Sequence, residues 1–265
     1  MKKLKFKHKS IQIMKNNLLI LTIIFTLSFS LSFGMKPKKD YVYTPKDFEF
    51  SYKELKIKTI DNFEINTWDI TPKSNLKNTT IIICGTDAGN MSYFIGQALN
   101  LANEGYNVIT FDYRGFGHSQ DFKVDTSNLL FHNEFLLDFE AVVRHAKKLY
   151  PKNKIGSLGF SMGGYFPVIT KMKLDFIMAD SPLISPKIFV VRLEMPDTTL
   201  PNNYIEPIEK KIPQLYFIGS KDKRILIEDI PDNCAVLYKG DHLWGETVLK
   251  ERYYELIDSF LKDLK

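Results

Sequence analysis

The sequence predicts an α/β fold: a mostly parallel sheet of about eight strands, helices on both faces and a small inserted cap. Three observations predict it. Residues 48–58 and 63–70 alternate apolar and polar side chains, the period-two pattern of a strand pair with one covered face. Residues 80–84 and 106–111 are instead continuous apolar runs, as expected of strands buried on both faces. Beyond them, strand-like runs take turns with helical periods, the sequence of elements that builds a parallel sheet between helix layers.

Taken in order, the chain begins with a leader. Residues 1–34 hold Lys2, Lys3, Lys5, Lys7, Lys9 and Lys15 and no other charged side chain, and residues 18–33 are apolar except for Thr22, Thr26, Ser28, Ser30 and Ser32. This is a signal peptide or an N-terminal membrane anchor. Ser32 and Gly34 offer small residues for a cut before Met35. Under either reading the basic end stays inside and the domain is extracytoplasmic, secreted or periplasmic if cut and held to the membrane through residues 18–33 if not. An anchor would hold the domain against lipid and favour acylated substrates. Setting those six lysines aside turns the formal charge of +5 into −1, which removes the basic excess a nucleic-acid partner would need.

Residues 35–46, rich in lysine and proline, read as a linker, and residues 47–265 as one domain. Its helical stretches are marked by Phe94, Ala98, Leu101 and Ala102 before Gly105, and by Phe135, Leu136, Phe139, Val142, Val143 and Ala146 before Pro151. Strands follow at 154–160, 176–179, 215–218 and 235–238, with a helix at 162–172, where Pro167 removes a donor, and an amphipathic helix at the C-terminus. Residues 184–211, with Pro186, Pro196, Pro201 and Pro207 and little periodicity, form the cap. Cys84 and Cys234, the two cysteines, fall on separate strands and are expected as buried thiols. The histidines lack metal-ligand spacing, and neither GxGxxG nor a P-loop is present, so no cofactor is expected.

The chemistry concentrates at Gly159-Phe160-Ser161-Met162-Gly163-Gly164, where a strand ends and a helix begins. A serine on such a sharp turn needs glycines two residues to either side, and it projects its hydroxyl above the sheet. The amide of Met162 and the helix N-terminus then point at developing negative charge. A serine needs a base, and His242, directly after the last strand, is the candidate. His8 lies in the leader, His118 precedes the serine, and His132 and His145 lie in or beside the helix before it. The acid belongs after a strand between serine and histidine. Asp222 fits, Asp180 is the alternative, and Asp241 reads as a loop-surface residue. A second oxyanion donor is expected from residues 84–91, as the amide of Thr86 or of Asp87.

These blocks, namely residues 84–91 (CGTDAGNM), 112–119 (DYRGFGHS), the GFSMGG turn, and GSKD with GDHLWG near the end, together resemble the α/β-hydrolase superfamily. Within it, they resemble the branch of serine esterases, monoacylglycerol lipase-like and serine aminopeptidase-like enzymes. The resemblance runs from about Lys53 to the C-terminus. It implies the α/β-hydrolase fold, a cofactor-free acyl-enzyme mechanism with Ser161, His242 and Asp222, and an oxyanion hole at Met162 and Thr86. It also implies a structural role for Asp112, Arg114 and His118. Cys84 stands where relatives carry histidine. The expected substrate is a small acyl ester or thioester. Phe189, Val190, Val191, Leu193, Met195 and Leu200 make the cap partly apolar, compatible with a lipid-like one. An aminopeptidase or amidase using Tyr204, Glu206 or Glu209, and a catalytically silent ligand-binding protein, are the alternatives.

Overall fold

In a computed structural model, residues 34–124, 133–195, 200, 204–231 and 234–264 are described. The leader up to Phe33 and His132 lie outside the described residues, as do parts of the segment read as a cap.

The strands are β1 (Lys36–Pro37), β2 (Tyr52–Lys58), β3 (Glu64–Ile70), β4 (Thr79–Cys84), β5 (Ala88–Gly89), β6 (Asn107–Phe111), β7 (Lys154–Phe160), β8 (Phe176–Asp180), β9 (Gln214–Gly219) and β10 (Ala235–Tyr238). The helices are α1 (Ile95–Asn103), α2 (Glu134–Leu149), α3 (Tyr165–Ile169), α4 (Pro186–Arg192), α5 (Gly245–Leu249) and α6 (Glu251–Lys262). Eight strands form one sheet in the order β10-β9-β8-β7-β4-β6-β3-β2. Neighbours from β10 to β6 are parallel, and β3 runs against both β6 and β2. The expected α/β architecture is what the chain adopts.

The continuous apolar runs are buried on both faces because each strand feeds two cores. In β4, Ile82 and Cys84 join the layer of Phe135, Phe139 and Val142 from α2, while Ile81 and Ile83 join the layer of Ile95, Ala98 and Leu99 from α1 and Tyr253 and Ile257 from α6. α2 opens on Glu134 and closes on Lys147 and Lys148, charges that complement its dipole. The helix expected over 162–172 is shorter and divided. A 3-10 turn, Ser161–Gly164, leads into α3, which stops at Ile169. Pro167 lacks the N–H that would bond back to the carbonyl of Gly163, so the 3-10 turn and α3 do not merge into one α-helix.

Residues 35–46 differ from the linker expected. Met35 is 1% exposed and lies in the core beneath α2 and α3. β1 pairs in parallel with β5, Lys36 opposite Ala88 and Pro37 opposite Gly89. Lysine and proline content hid this strap, because a two-residue strand carries no period. Tyr41 packs against Trp68 at 4.7 Å and His118 at 4.0 Å between ring centroids. Cys84 is a buried thiol without a disulfide, and Cys234 is half-buried rather than buried.

Candidate active site

Parallel strands bring their following loops to one edge of the sheet, and the residues singled out in the sequence lie on those loops. Ser161 follows β7 with φ +49°, a left-handed conformation that is costly for a side chain bearing Cβ. The strain is maintained by packing that admits only glycine nearby. A Cβ built at Gly159 would stand 2.5 Å from the carbonyl oxygen of Gly163, and one at Gly163 would stand 2.2 Å from that of Cys84. The turn bearing Ser161 is therefore in backbone contact with the loop after β4.

His242 follows β10 and Asp222 follows β9. Ser161 Oγ lies 3.1 Å from His242 Nε2, and His242 Nδ1 lies 2.7 Å from Asp222 Oδ2. The Asp222 side chain is fully buried and that of His242 is 9% exposed. The other Asp222 oxygen accepts the amides of Arg224 at 2.8 Å and Ile225 at 3.2 Å. Burial alone would raise its carboxyl, but the hydrogen bond and charge of His242 and these two amides outweigh burial and hold it below the usual carboxylate range. As an ionised acceptor, Asp222 fixes the proton on Nδ1, which leaves the Nε2 lone pair facing the serine hydroxyl.

The alternative acids fall elsewhere. Asp241 is exposed and accepts the amide of His242 at 2.9 Å. Asp180 is buried and supports the histidine loop from behind. Its carboxyl lies 3.3 Å from both the Ser181 and Tyr238 hydroxyls. Ser181 in turn accepts the amide of Leu243 at 2.9 Å, and Tyr238 accepts that of Trp244 at 3.0 Å. Burial pushes the Asp180 carboxyl up to about 7 despite these donors. Nothing in the sequence pattern marks Ser181, whose partner Leu243 is distant in the chain, or Tyr238, whose hydroxyl turns back onto the loop that follows its own strand.

Thr86 and Met162, each 1% exposed, sit on the two loops that Gly163 presses together. Asp87 is buried beside them, its carboxyl raised by burial and drawn down by His242, Arg224 and Lys36. In the 112–119 block, Asp112 accepts the amide of Met91 at 2.7 Å and the Tyr41 hydroxyl at 2.5 Å. Arg114, 1% exposed, bridges Asp61 at 2.6 Å and Asp138 at 2.7 Å. His118 is on the surface and His145 on α2. Among the described residues no group of three His, Cys, Asp or Glu side chains could hold a metal ion.

In the segment read as a cap, α4 buries Phe189 and Val190 and turns Val191 outward, 70% exposed. Tyr204 stacks on Tyr165 of α3 at 6.2 Å, and the Tyr165 hydroxyl donates to the carbonyl of Ile205. Glu206 and Glu209 face solvent.

Residues 79–166, from β4 through the serine turn, match the family model described as the alpha/beta hydrolase fold. An uncharacterised membrane protein of Saccharomyces cerevisiae is 24% identical over 257 residues, covering 84% of each chain. The esterase Pf2001 of Pyrococcus furiosus superposes with a TM-score of 0.66 at 25% identity, over 86% of this chain and 99% of the other. Acylaminoacyl peptidase of Pyrococcus horikoshii shares the fold, with a TM-score of 0.60 at 18% identity over 86% of this chain and 44% of the other. With its eight-stranded sheet, the serine turn at the end of β7 and these likenesses, the chain adopts the α/β-hydrolase fold.

Proposed function

We propose that the protein is a serine hydrolase that cleaves a carboxylic ester or thioester through an acyl-enzyme. The observation that carries this reading is the unbroken relay from Ser161 Oγ through His242 to Asp222, at 3.1 and 2.7 Å. His242 Nε2 takes the serine proton as Oγ attacks the acyl carbon. The oxyanion is held by the amides of Met162 and of Thr86 or Asp87. The imidazolium, stabilised by ionised Asp222, gives its proton to the departing alcohol or thiol. Water then enters, loses a proton to His242 and attacks the acyl carbon, and His242 returns that proton to Ser161 Oγ as the acid leaves. No step calls for a cofactor.

An ester is favoured over an aminoacyl amide because the carboxylates a peptidase reading would use face solvent. Glu206 is exposed and 3.6 Å from Lys187, and Glu209 is exposed. The likeness to an esterase supports the same choice. Membrane attachment through residues 18–33 and an extracytoplasmic domain are part of the proposal. They are supported by the lysine-rich start of the leader and by the membrane protein among the relatives.

The test is labelling of the full chain with a fluorophosphonate, alongside Ser161→Ala and His242→Ala, followed by p-nitrophenyl esters against aminoacyl amides. Labelling of the wild type alone, with ester turnover exceeding amide turnover, is expected. A folded wild type that does not label overturns the hydrolase reading in favour of a ligand-binding protein, and preferential amide turnover makes it an amidase.

A further inference from the structure

The chain enters the domain at the site itself. The Lys36 amide donates to the carbonyl of Asp87 at 2.9 Å, and that of Lys38 to the carbonyl of Gly89 at 2.9 Å. Gly34 is two residues from Lys36, so it lies within about 8 Å of it. The described chain thus begins beside the loop that holds Thr86 and Asp87, at the edge of the sheet that carries the site.

Several exposed apolar side chains stand on loops that leave this edge of the sheet. Ile188 and Val191 on α4 are 46% and 70% exposed, Ile227 after β9 is 43%, Trp244 after β10 is 39%, and Val42 on the strap is 46%. These loops are bound to one another. Arg192 of α4 forms two 2.6 Å bonds to Asp229 and one of 2.9 Å to the carbonyl of Arg224, and Ser181 ties the loop after β8 to Leu243. Apolar side chains left open to water on these loops match an apolar surface. Residues 35–46, 186–192, 220–234 and 239–244 together hold ten Lys or Arg against six Asp or Glu, a basic excess suited to phospholipid headgroups.

We propose that this edge, comprising the strap, α4 and the loops after β9 and β10, seats on a lipid bilayer. The mouth then opens onto the membrane, and the substrate is an acyl ester resident in it. The substrate class rests on the ester-hydrolase reading, whereas the membrane contact does not.

Trp244 reports on the contact directly, since the other tryptophan, Trp68, is fully buried. The full chain is incorporated in phosphatidylcholine vesicles containing phosphatidylglycerol, with and without a doxyl lipid labelled near the headgroup. Flotation with the vesicles and loss of at least about a third of the emission on doxyl lipid, absent in Trp244→Phe, is the expected result. A chain that floats with its emission unchanged, or one that does not float, overturns the membrane contact. For the substrate, Ile188→Asp/Val191→Asp is expected to lower hydrolysis of a bilayer-resident fluorogenic acyl ester at least about fivefold relative to p-nitrophenyl acetate. An unchanged ratio overturns the substrate class. Quenching with no turnover of either ester leaves the membrane contact standing and overturns the ester reading alone.

Discussion

Asp222 and Asp180 follow the C-terminal ends of neighbouring parallel strands or end them, yet only Asp222 reaches the imidazole of His242, at 2.7 Å. The two carboxylates are also held in opposite ways, Asp222 below and Asp180 far above the usual range. Asp222→Asn is expected to lower kcat on the order of 10³- to 10⁴-fold with little change in KM, because the amide no longer fixes the tautomer or stabilises the imidazolium. Asp180→Asn, which touches no reacting group, is expected to lower kcat less than about tenfold. Steady-state kinetics on a p-nitrophenyl ester checks both, and equal losses would shift the acid role away from Asp222.

Asp180 also makes stability depend on pH. Its carboxyl titrates near 7 in the fold and near 3.8 when unfolded, so the folded state binds the extra proton between those values. That contribution is fully present below about pH 4 and is lost as pH rises through about 7. Asp180→Asn keeps the hydrogen-bonding shape without the charge. It is therefore expected to gain stability relative to wild type between pH 5 and pH 8, read as the difference in Tm across that range. A difference that does not change with pH would show that Asp180 stays ionised throughout.

A Cβ at Gly163 would meet three backbone atoms, the carbonyl oxygen and carbon of Cys84 at 2.2 and 2.6 Å and the carbonyl oxygen of Gly85 at 2.6 Å. None of them is the end of a flexible side chain, so the serine turn and the loop after β4 must move apart. Gly163→Ala is expected to cost about 2–3 kcal/mol and to lower Tm by roughly 5–10 °C. Turnover of a p-nitrophenyl ester is expected to fall further than stability explains, as the two loops proposed to hold the oxyanion separate. Thermal unfolding together with kcat measured well below the transition separates these effects.

How far the sequence reveals this arrangement depends on whether a residue acts through its neighbours in the chain. Continuous apolar runs such as residues 80–84 declare a doubly covered strand, and the glycines around Ser161 declare its turn, since both are local consequences of packing. Asp222 and His242 are legible from the order of strands. Ser181 is not, because it grips a loop brought to it by the folded sheet, and Tyr238 is not, because its place in β10 gives no sign that its hydroxyl turns back onto the next loop. The strap around Lys36 is hidden for the opposite reason, being too short to show a period and too rich in lysine to look buried.

Tyr41 is the point at which that strap is fastened. Its hydroxyl donates to Asp112 at 2.5 Å and accepts from the side-chain amide of Asn66 at 2.7 Å. Burial raises the Asp112 carboxyl to about 6, held from rising further by Tyr41, Met91 and His118. Tyr41→Phe keeps the ring against Trp68 and His118 but withdraws one donor from a fully buried carboxyl. The loss is expected to be about 1–3 kcal/mol, smaller at pH 5, where Asp112 is mostly protonated, than at pH 8. Because Met91 and Asp112 also brace the loop carrying Thr86, phosphonylation of Ser161 by a fluorophosphonate, with loss of fluoride, is expected to slow by a few-fold even where the variant is fully folded. Chemical denaturation at the two pH values and labelling rates check this, and a labelling rate equal to wild type would show that the strap stabilises the domain without acting on the oxyanion loop.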